Sequence, residues 1–489
     1  MQRLSIFIRR RVRTRIRPWT MVTPVAVLLV CLPLLRPLRH PEATAISDDE
    51  NARLATIDAI VENPTAQDEP LAARLAIDSD WLTTVHHTIR RQGRHFSPQP
   101  PVFAFVMAAP YDLMHRMGWR LRDNSVLVPY VLTLIGSTLP AVAAAGLIYR
   151  LGRLFELKRT WRVFLSAAAV FGSGLISYAV VLSPHVAAAA LVLAASACLA
   201  QVAVSPNPSR GGGWLAAAGL SAGAAGVIDL PALIFLPMFP AIILAMRLRP
   251  SLKLAAVLLF IVGATPPLLL HFVLTAPITG DLRPGIFHPE LADHRWTSQS
   301  MRNSEWAIGP SAADETAGDD EVPNQSMASR VAAAMGAGIA AVAATLLGRH
   351  GLLFNFPVVL IASAGIAAVM HRNWPMTTKT LAVISAVGAL VTMIVWMIVA
   401  PDPTPAMFAN QWFIVFLPLL LLWLGAWLRR PHRRGVWGLF AGLLGLSVLS
   451  SLIGAINPLP RDEPDDLIAR PALPSATMLT TIAPPNVSR

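Results

Sequence analysis

Apolar and polar positions fall in long blocks along this chain. Apolar runs at about 19–35, 126–149, 163–182, 186–204, 214–228, 231–246, 254–274, 352–370, 380–399, 412–428 and 436–456 reach or approach the roughly 18 residues a helix needs to span hydrocarbon. Backbone polar groups have no water partners in lipid, so the runs read as helices, and the fold class is an all-α polytopic membrane protein of about 11 transmembrane helices.

Two polar stretches interrupt the blocks, 36–125 and 275–350. The first is organised around Pro41 to Pro101. Within it Leu54, Ile57, Ile60 and Val61 recur at helical spacing while Arg53, Asp58 and Glu62 fall elsewhere, which predicts an amphipathic juxtamembrane helix headed by Ser47, Asp48, Asp49 and Glu50. The second stretch holds ITGDLRPGIFHPELADHRW and the acidic AADETAGDDEVPNQS, which reads as flexible. Val331 to Leu347 is apolar enough for a further crossing, but that crossing would turn RRPHRR outward. It is therefore read as an outer-face helix at the interface.

Composition narrows the picture. At 54% hydrophobic, 14% charged and a mean hydropathy of +0.54, the chain is too apolar for a soluble domain. Its net charge of +12 sits in short basic runs between apolar segments, which reports topology and calls for no nucleic-acid partner. With a cytoplasmic N-terminus, the inside loops carry Arg150 to Arg162, Arg210, Arg247 to Lys253, Arg372 and Lys379, and Arg429 to Arg434, leaving both long polar stretches extracytoplasmic. The expected division is a basic N-terminus (1–18), a transmembrane domain (19–456) and a Pro-rich, acidic, disordered extracytoplasmic tail (457–489). A basic segment precedes Met21 to Leu35, and Ala43-Thr44-Ala45 resembles a cleavage site. Arg36, Arg39 and His40 intervene, so an uncleaved anchor is expected. Cys31 and Cys198 lie in apolar runs and carry no disulfide or metal signature.

Several residues could carry chemistry. Ser47 and Glu50 match a capping box, and acids in a first helical turn are favoured by the macrodipole. Asp48, Asp49 and Glu50 at a bilayer surface could equally act as a general base or hold a divalent cation. Arg90, Arg91, Arg94 and His95 run against the positive-inside trend; they fit a phosphate, or neutralise the acids of their own loop. Asp229 lies between two short apolar runs, where a carboxylate needs water or a partner, and a helix cap is the competing reading. His185 breaks two spans at the outer face, as a turn residue or a ligand-facing one. Arg349 and His350 open a span from outside, over a lipid headgroup or as interfacial anchors. His288, Asp293 and His294 lack metal-ligand spacing.

The order of these features resembles the C-type fold (GT-C) of membrane glycosyltransferases, in particular bacterial relatives of the protein O-mannosyltransferases and aminoarabinose transferases. The resemblance is carried by SDDENARLATIDAIVEN, GRHFSPQPPVFAF, YAVVLSPHVAAAA, GLSAGAAGVIDLP and GRHGLLFNFP. It implies transfer of a sugar from a polyprenyl-phosphate donor at the outer face of a bacterial-type plasma membrane. Asp48 or Asp49 would then be the base, Glu50 a second carboxylate, and the outer basic residues the donor-phosphate contacts. Two departures stand out: Gln99 replaces the Lys common before Pro-Pro in those relatives, and Gln411 stands where Arg would be sought before Trp412. A degenerate relative or a transporter-like protein that binds lipid-linked saccharide without turning it over is the competing expectation, and a transporter should show two related halves, which are absent here.

Overall fold

The structure, a computed structural model, describes residues 18–39, 47–62, 71–85, 88–204, 211–288, 291, 342–343, 345–348, 351–399 and 411–457. The basic N-terminus, most of the second long stretch with Val331 to Leu347, and the tail lie outside them.

The elements are α1 (Pro18–Leu34), α2 (Asp48–Glu62), a hairpin of β1 (Ile89–Arg91) and β2 (Arg94–Phe96), α3 (Pro101–Arg116), α4 (Leu127–Phe155), α5 (Arg159–Phe171), α6 (Leu175–Ala179), α7 (Pro184–Val204), α8 (Gly212–Ile228), α9 (Leu230–Leu244), α10 (Pro250–Thr279), α11 (Val359–Met370), α12 (Met376–Val399), α13 (Phe413–Leu428) and α14 (Arg434–Ile456). This is a multi-pass helical membrane protein.

Every expected run is largely helical, and the eleven expected crossings are not all matched by helices of full spanning length. Among the described residues six helices are long and apolar enough to cross, and a seventh arises only if Thr345–Asn355 and Val359–Met370, bent by 87°, form one span. The reason is local chemistry. Gly172 and Gly174, the latter at φ 71°, end α5 and start α6, and Pro231, Pro237 and Pro240 break α9, because proline removes a backbone donor and clashes with the preceding turn. α8 stops at Asp229 after 17 residues.

Close helix crossings use missing side chains. A Cβ on Gly219 of α8 would lie 1.9 Å from the Phe260 carbonyl oxygen of α10, and one on Gly263 would lie 2.1 Å from that of Ala216. Small residues let the two backbones touch, which is how helices associate where lipid offers no hydrophobic drive. The flanks left open, among them Leu258, Val262 and Leu269 on α10 and Leu439, Leu446 and Leu449 on α14, are exposed and apolar.

The loops sort to two ends. One is basic: there Glu156 pairs with Arg429 at 2.6 Å, Arg429 covers Trp374, and Trp161 stacks on Trp437. The other carries the described residues of the 47–125 segment, anchored to residues 36, 182 and 276. There Arg39 also donates to the Ala455 and Ile456 carbonyls, closing the C-terminus of α14.

Replacing Gly219 by valine is expected to destabilise the protein by about 1–3 kcal/mol or more through overpacking at the α8–α10 crossing. Gly442→Ala, whose Cβ would meet nothing within 4 Å, should leave stability unchanged or slightly raised. Thermal unfolding of the detergent-solubilised pair checks this.

Candidate active site at the loop-bearing end

The 47–125 segment meets the bundle at the non-helical link between α6 and α7. Backbone there has lost its helical partners and must find others. Arg36 N–H donates to the Val180 carbonyl at 2.9 Å, Leu182 N–H to Glu50 Oε1 at 3.2 Å, and Arg53 Nη1 to the Leu182 carbonyl at 3.4 Å. Ser183 N–H donates to Ser137 Oγ at 2.8 Å, on a π-helical turn within α4 (Leu134–Thr138). Glu50 is 2% exposed and its Oε1 lies 3.0 Å from Arg36 Nη2, itself fully buried. Half of the expected capping box forms: Glu50 N–H donates to Ser47 Oγ at 3.2 Å, while the Glu50 carboxylate turns inward to Arg36 and Leu182.

Asp49 faces the other way. Its Oδ1 accepts from Gln99 Nε2 at 3.0 Å, and its Oδ2 lies 3.7 Å from Arg53 Nη2. Arg53, Thr56, Ser97 and Gln99 line a cavity beneath them, with Leu75 and Ile278 among its apolar walls; at about 10 Å³ it has room for about one water. Gln99, the residue expected to meet a donor phosphate, spends its amide on Asp49. Arg53, which pattern reading placed on a polar face, is 7% exposed and is the charged side chain in the cavity wall. The helix α2 is thus buried nearly all round rather than lying half in water.

The basic stretch folds into the hairpin, a structure the sequence reading missed. Gln92 at φ 50° and Gly93 at φ 78° form the two-residue turn, and this Gln-Gly pair was the available signal. Arg90 and Arg94 are exposed. Arg91 instead reaches the C-terminus of α10, its Nη1 3.5 Å from the Ala276 carbonyl, and a Cβ on Gly280 would sit 2.6 Å from its guanidinium. A cation there complements the helix dipole. His95 Nδ1 lies 3.2 Å from Thr88 Oγ1.

His185, at the start of α7, and Asp229, at the end of α8, are brought together: Nδ1 and Oδ2 are 2.5 Å apart, and both side chains are more than nine-tenths buried. Gln411, half-buried, opens α13 and is not joined to Asp49 by any described bond. Arg349, His350 and the Asp48 side chain lie outside the described residues. His288 Nε2 is 3.0 Å from Asp281, whose carboxyl is held down to about 2, first by the Arg283 backbone N–H and then by its guanidinium. Among the described residues no three His, Cys, Asp or Glu converge as metal ligands; Asp49 and Glu50 diverge. The donor set here does not fit a cation, and no step below uses one.

A second polar knot went unread in the sequence. Asp58, 2% exposed, accepts from Trp81 Nε1 at 2.8 Å and faces Tyr111 Oη at 2.9 Å; Glu62 faces the same Oη at 2.7 Å, and Leu121 N–H donates to it at 3.0 Å. Arg122 binds Asp78 at 2.7 Å and Asp80 at 2.5 Å, and its Nε lies 3.7 Å from Asp58. Burial pushes the Asp58 carboxyl up, while the Arg122 hydrogen bond holds that of Asp78 down.

No protein-family model matches the sequence, and no curated protein matches it. In three dimensions the chain is similar to the oligosaccharyltransferase of Archaeoglobus fulgidus. The apo crystal structure aligns with a TM-score of 0.52 at 12% identity, covering 92% of this chain and 57% of that one. The complex of that enzyme with Zn and sulfate gives 0.48 at 11% identity, covering 90% and 54%. The chain thus spans little more than half the length of that protein. The likeness is one of fold.

If Arg91 closes α10, Arg91→Ala should cost about 0.5–1 kcal/mol and Arg91→Lys less, whereas Arg90→Ala should cost nothing measurable. Unfolding of the three variants separates the two neighbouring arginines.

Proposed function

We propose that the protein is an integral-membrane glycosyltransferase that moves a sugar from a polyprenyl-phosphate-linked donor to an acceptor at the extracytoplasmic face, with Asp49 as base. The observation that carries this reading is the divergence of the two neighbouring acids. Glu50 is consumed in holding the loop, while Asp49 has Gln99 on one oxygen and Arg53 near the other, both of them residues of the cavity wall. A single positioned carboxylate suffices for one displacement: the acceptor oxygen bonds to the anomeric carbon, the carbon–oxygen bond to phosphate breaks with its electron pair on phosphate, and the acceptor proton passes to Asp49. Inversion at the anomeric carbon follows.

Positive charge for the leaving phosphate would come from Arg53 in the cavity wall and from Arg90 and Arg94 on the hairpin, in place of the cation that Gln99 lacks. Arg349, His350 and Gln411 are proposed donor contacts, and Asp48 a second carboxylate. The basic end of the bundle faces the cytoplasm, and the 47–125 segment the outside of a bacterial-type plasma membrane. Room for one water does not admit a saccharide, so binding requires the 47–125 segment to lift from α10.

A second reading, a non-catalytic relative that binds lipid-linked saccharide, draws on one observation: the Gln99 amide is spent on Asp49 and offers a phosphate nothing.

Membranes holding wild type or Asp49→Asn, given a panel of labelled polyprenyl-phosphate sugars, decide between them. Transfer by wild type that drops by about 10²–10⁴ in the variant is expected. Equal rates would remove Asp49 from the chemistry, and no transfer from any donor favours the non-catalytic reading.

A further inference from the structure

The knot around Tyr111 has a proton count that its geometry enforces. A phenol oxygen carries one proton and two lone pairs. Leu121 N–H takes one lone pair at 3.0 Å. The phenol proton goes to one of the two carboxyls, Asp58 at 2.9 Å or Glu62 at 2.7 Å. The other carboxyl then faces the remaining lone pair at hydrogen-bond distance, and two bare oxygens repel there unless that carboxyl carries a proton of its own.

We infer that Asp58 and Glu62 share one proton through Tyr111, and that this proton is a pH-sensitive latch holding α2, residues 78–81, α3 and residues 121–122 to one another. The inference stands independently of the sugar-transfer reading, since it concerns how these pieces hold together and not the chemistry.

The surroundings favour the protonated pair at moderate acidity. The Asp58 carboxylate is desolvated, and burial raises it. The positive group nearest to it, Arg122, is 3.7 Å away and already shared with Asp78 and Asp80. On α3 the charged neighbours are the Asp112–Arg116 pair, exposed and bound to each other, and His115, whose ring centre lies 6.1 Å from that of Tyr111. The knot joins α2, residues 78–81, α3 and residues 121–122, so its loss loosens these four pieces from one another.

The sign follows from the raised Asp58. A carboxyl whose folded value lies above its unfolded one stabilises the closed state most at low pH, and that contribution is lost as pH rises through the folded value. The latch therefore loosens as the medium becomes more alkaline, above the ordinary aspartate value.

Hydrogen exchange of the full chain in detergent, followed at the peptide covering residues 117–125 and corrected for intrinsic rates, reads the latch through the Leu121 amide. Between about pH 4 and about pH 9, wild type should lose at least about tenfold protection. Glu62→Gln, whose amide donates to the phenol at every pH, should keep protection flat across the range. His115→Gln should retain the wild-type response. A wild-type profile that does not change with pH overturns the proposal even if the variants misfold; so does an unchanged response in Glu62→Gln, or one abolished by His115→Gln.

Discussion

The interaction on which the loop-bearing end depends is the buried pair of Arg36 and Glu50. Taking both charges out of water costs several kcal/mol per ion, and their attraction repays it only where geometry is good and remaining polar atoms are satisfied. Here Glu50 also accepts from Leu182 N–H, and the Arg36 backbone donates to Val180. The pair thus welds three pieces of chain at one point: the end of the first span, the head of α2 and the link between α6 and α7. With Glu50 pinned inward, the helical turn it belongs to directs Asp49 outward.

The broken helices explain why such a weld exists at all. A continuous helix from 163 to 182 would satisfy its own backbone and present nothing to the loop. Gly172 and Gly174 interrupt it, and the stretch from Val180 to Ser183 is left with donors and acceptors that the bundle and loop must fill. Arg36, Glu50, Arg53 and Ser137 fill them. The π-helical turn that places Ser137 at Ser183, and the close contact of His185 with Asp229 just beyond, belong to the same region, where non-helical backbone at depth is tolerated because protein surrounds it.

Much of this was legible in the sequence. Each apolar run became helix because its length and composition allowed little else, and the fold expected from the order of short motifs agrees with the likeness in fold to the archaeal oligosaccharyltransferase. The amphipathic reading of α2 failed for a physical reason: Arg53 and Asp58 look like a solvated face only while their partners are unknown, and those partners, Leu182, Trp81, Tyr111 and Arg122, lie from 23 to well over a hundred residues away. Arg91 was grouped with Arg90 and Arg94 by charge. Strand alternation and a two-residue turn separated them, sending Arg91 onto the end of α10. Hydropathy counts apolar residues without registering where proline and glycine cut a helix short, so several of the expected crossings correspond to short or broken helices.

A double-mutant cycle on Arg36→Met and Glu50→Leu, read as unfolding free energy in detergent, tests the central weld most directly. Each single change should cost about 3–5 kcal/mol by stranding a buried charge, and the double should cost no more than the larger single, giving a coupling of about 3 kcal/mol or more. Costs that add to within about 0.5 kcal/mol would mean that the two groups do not hold each other, and that the loop is fastened to the bundle elsewhere.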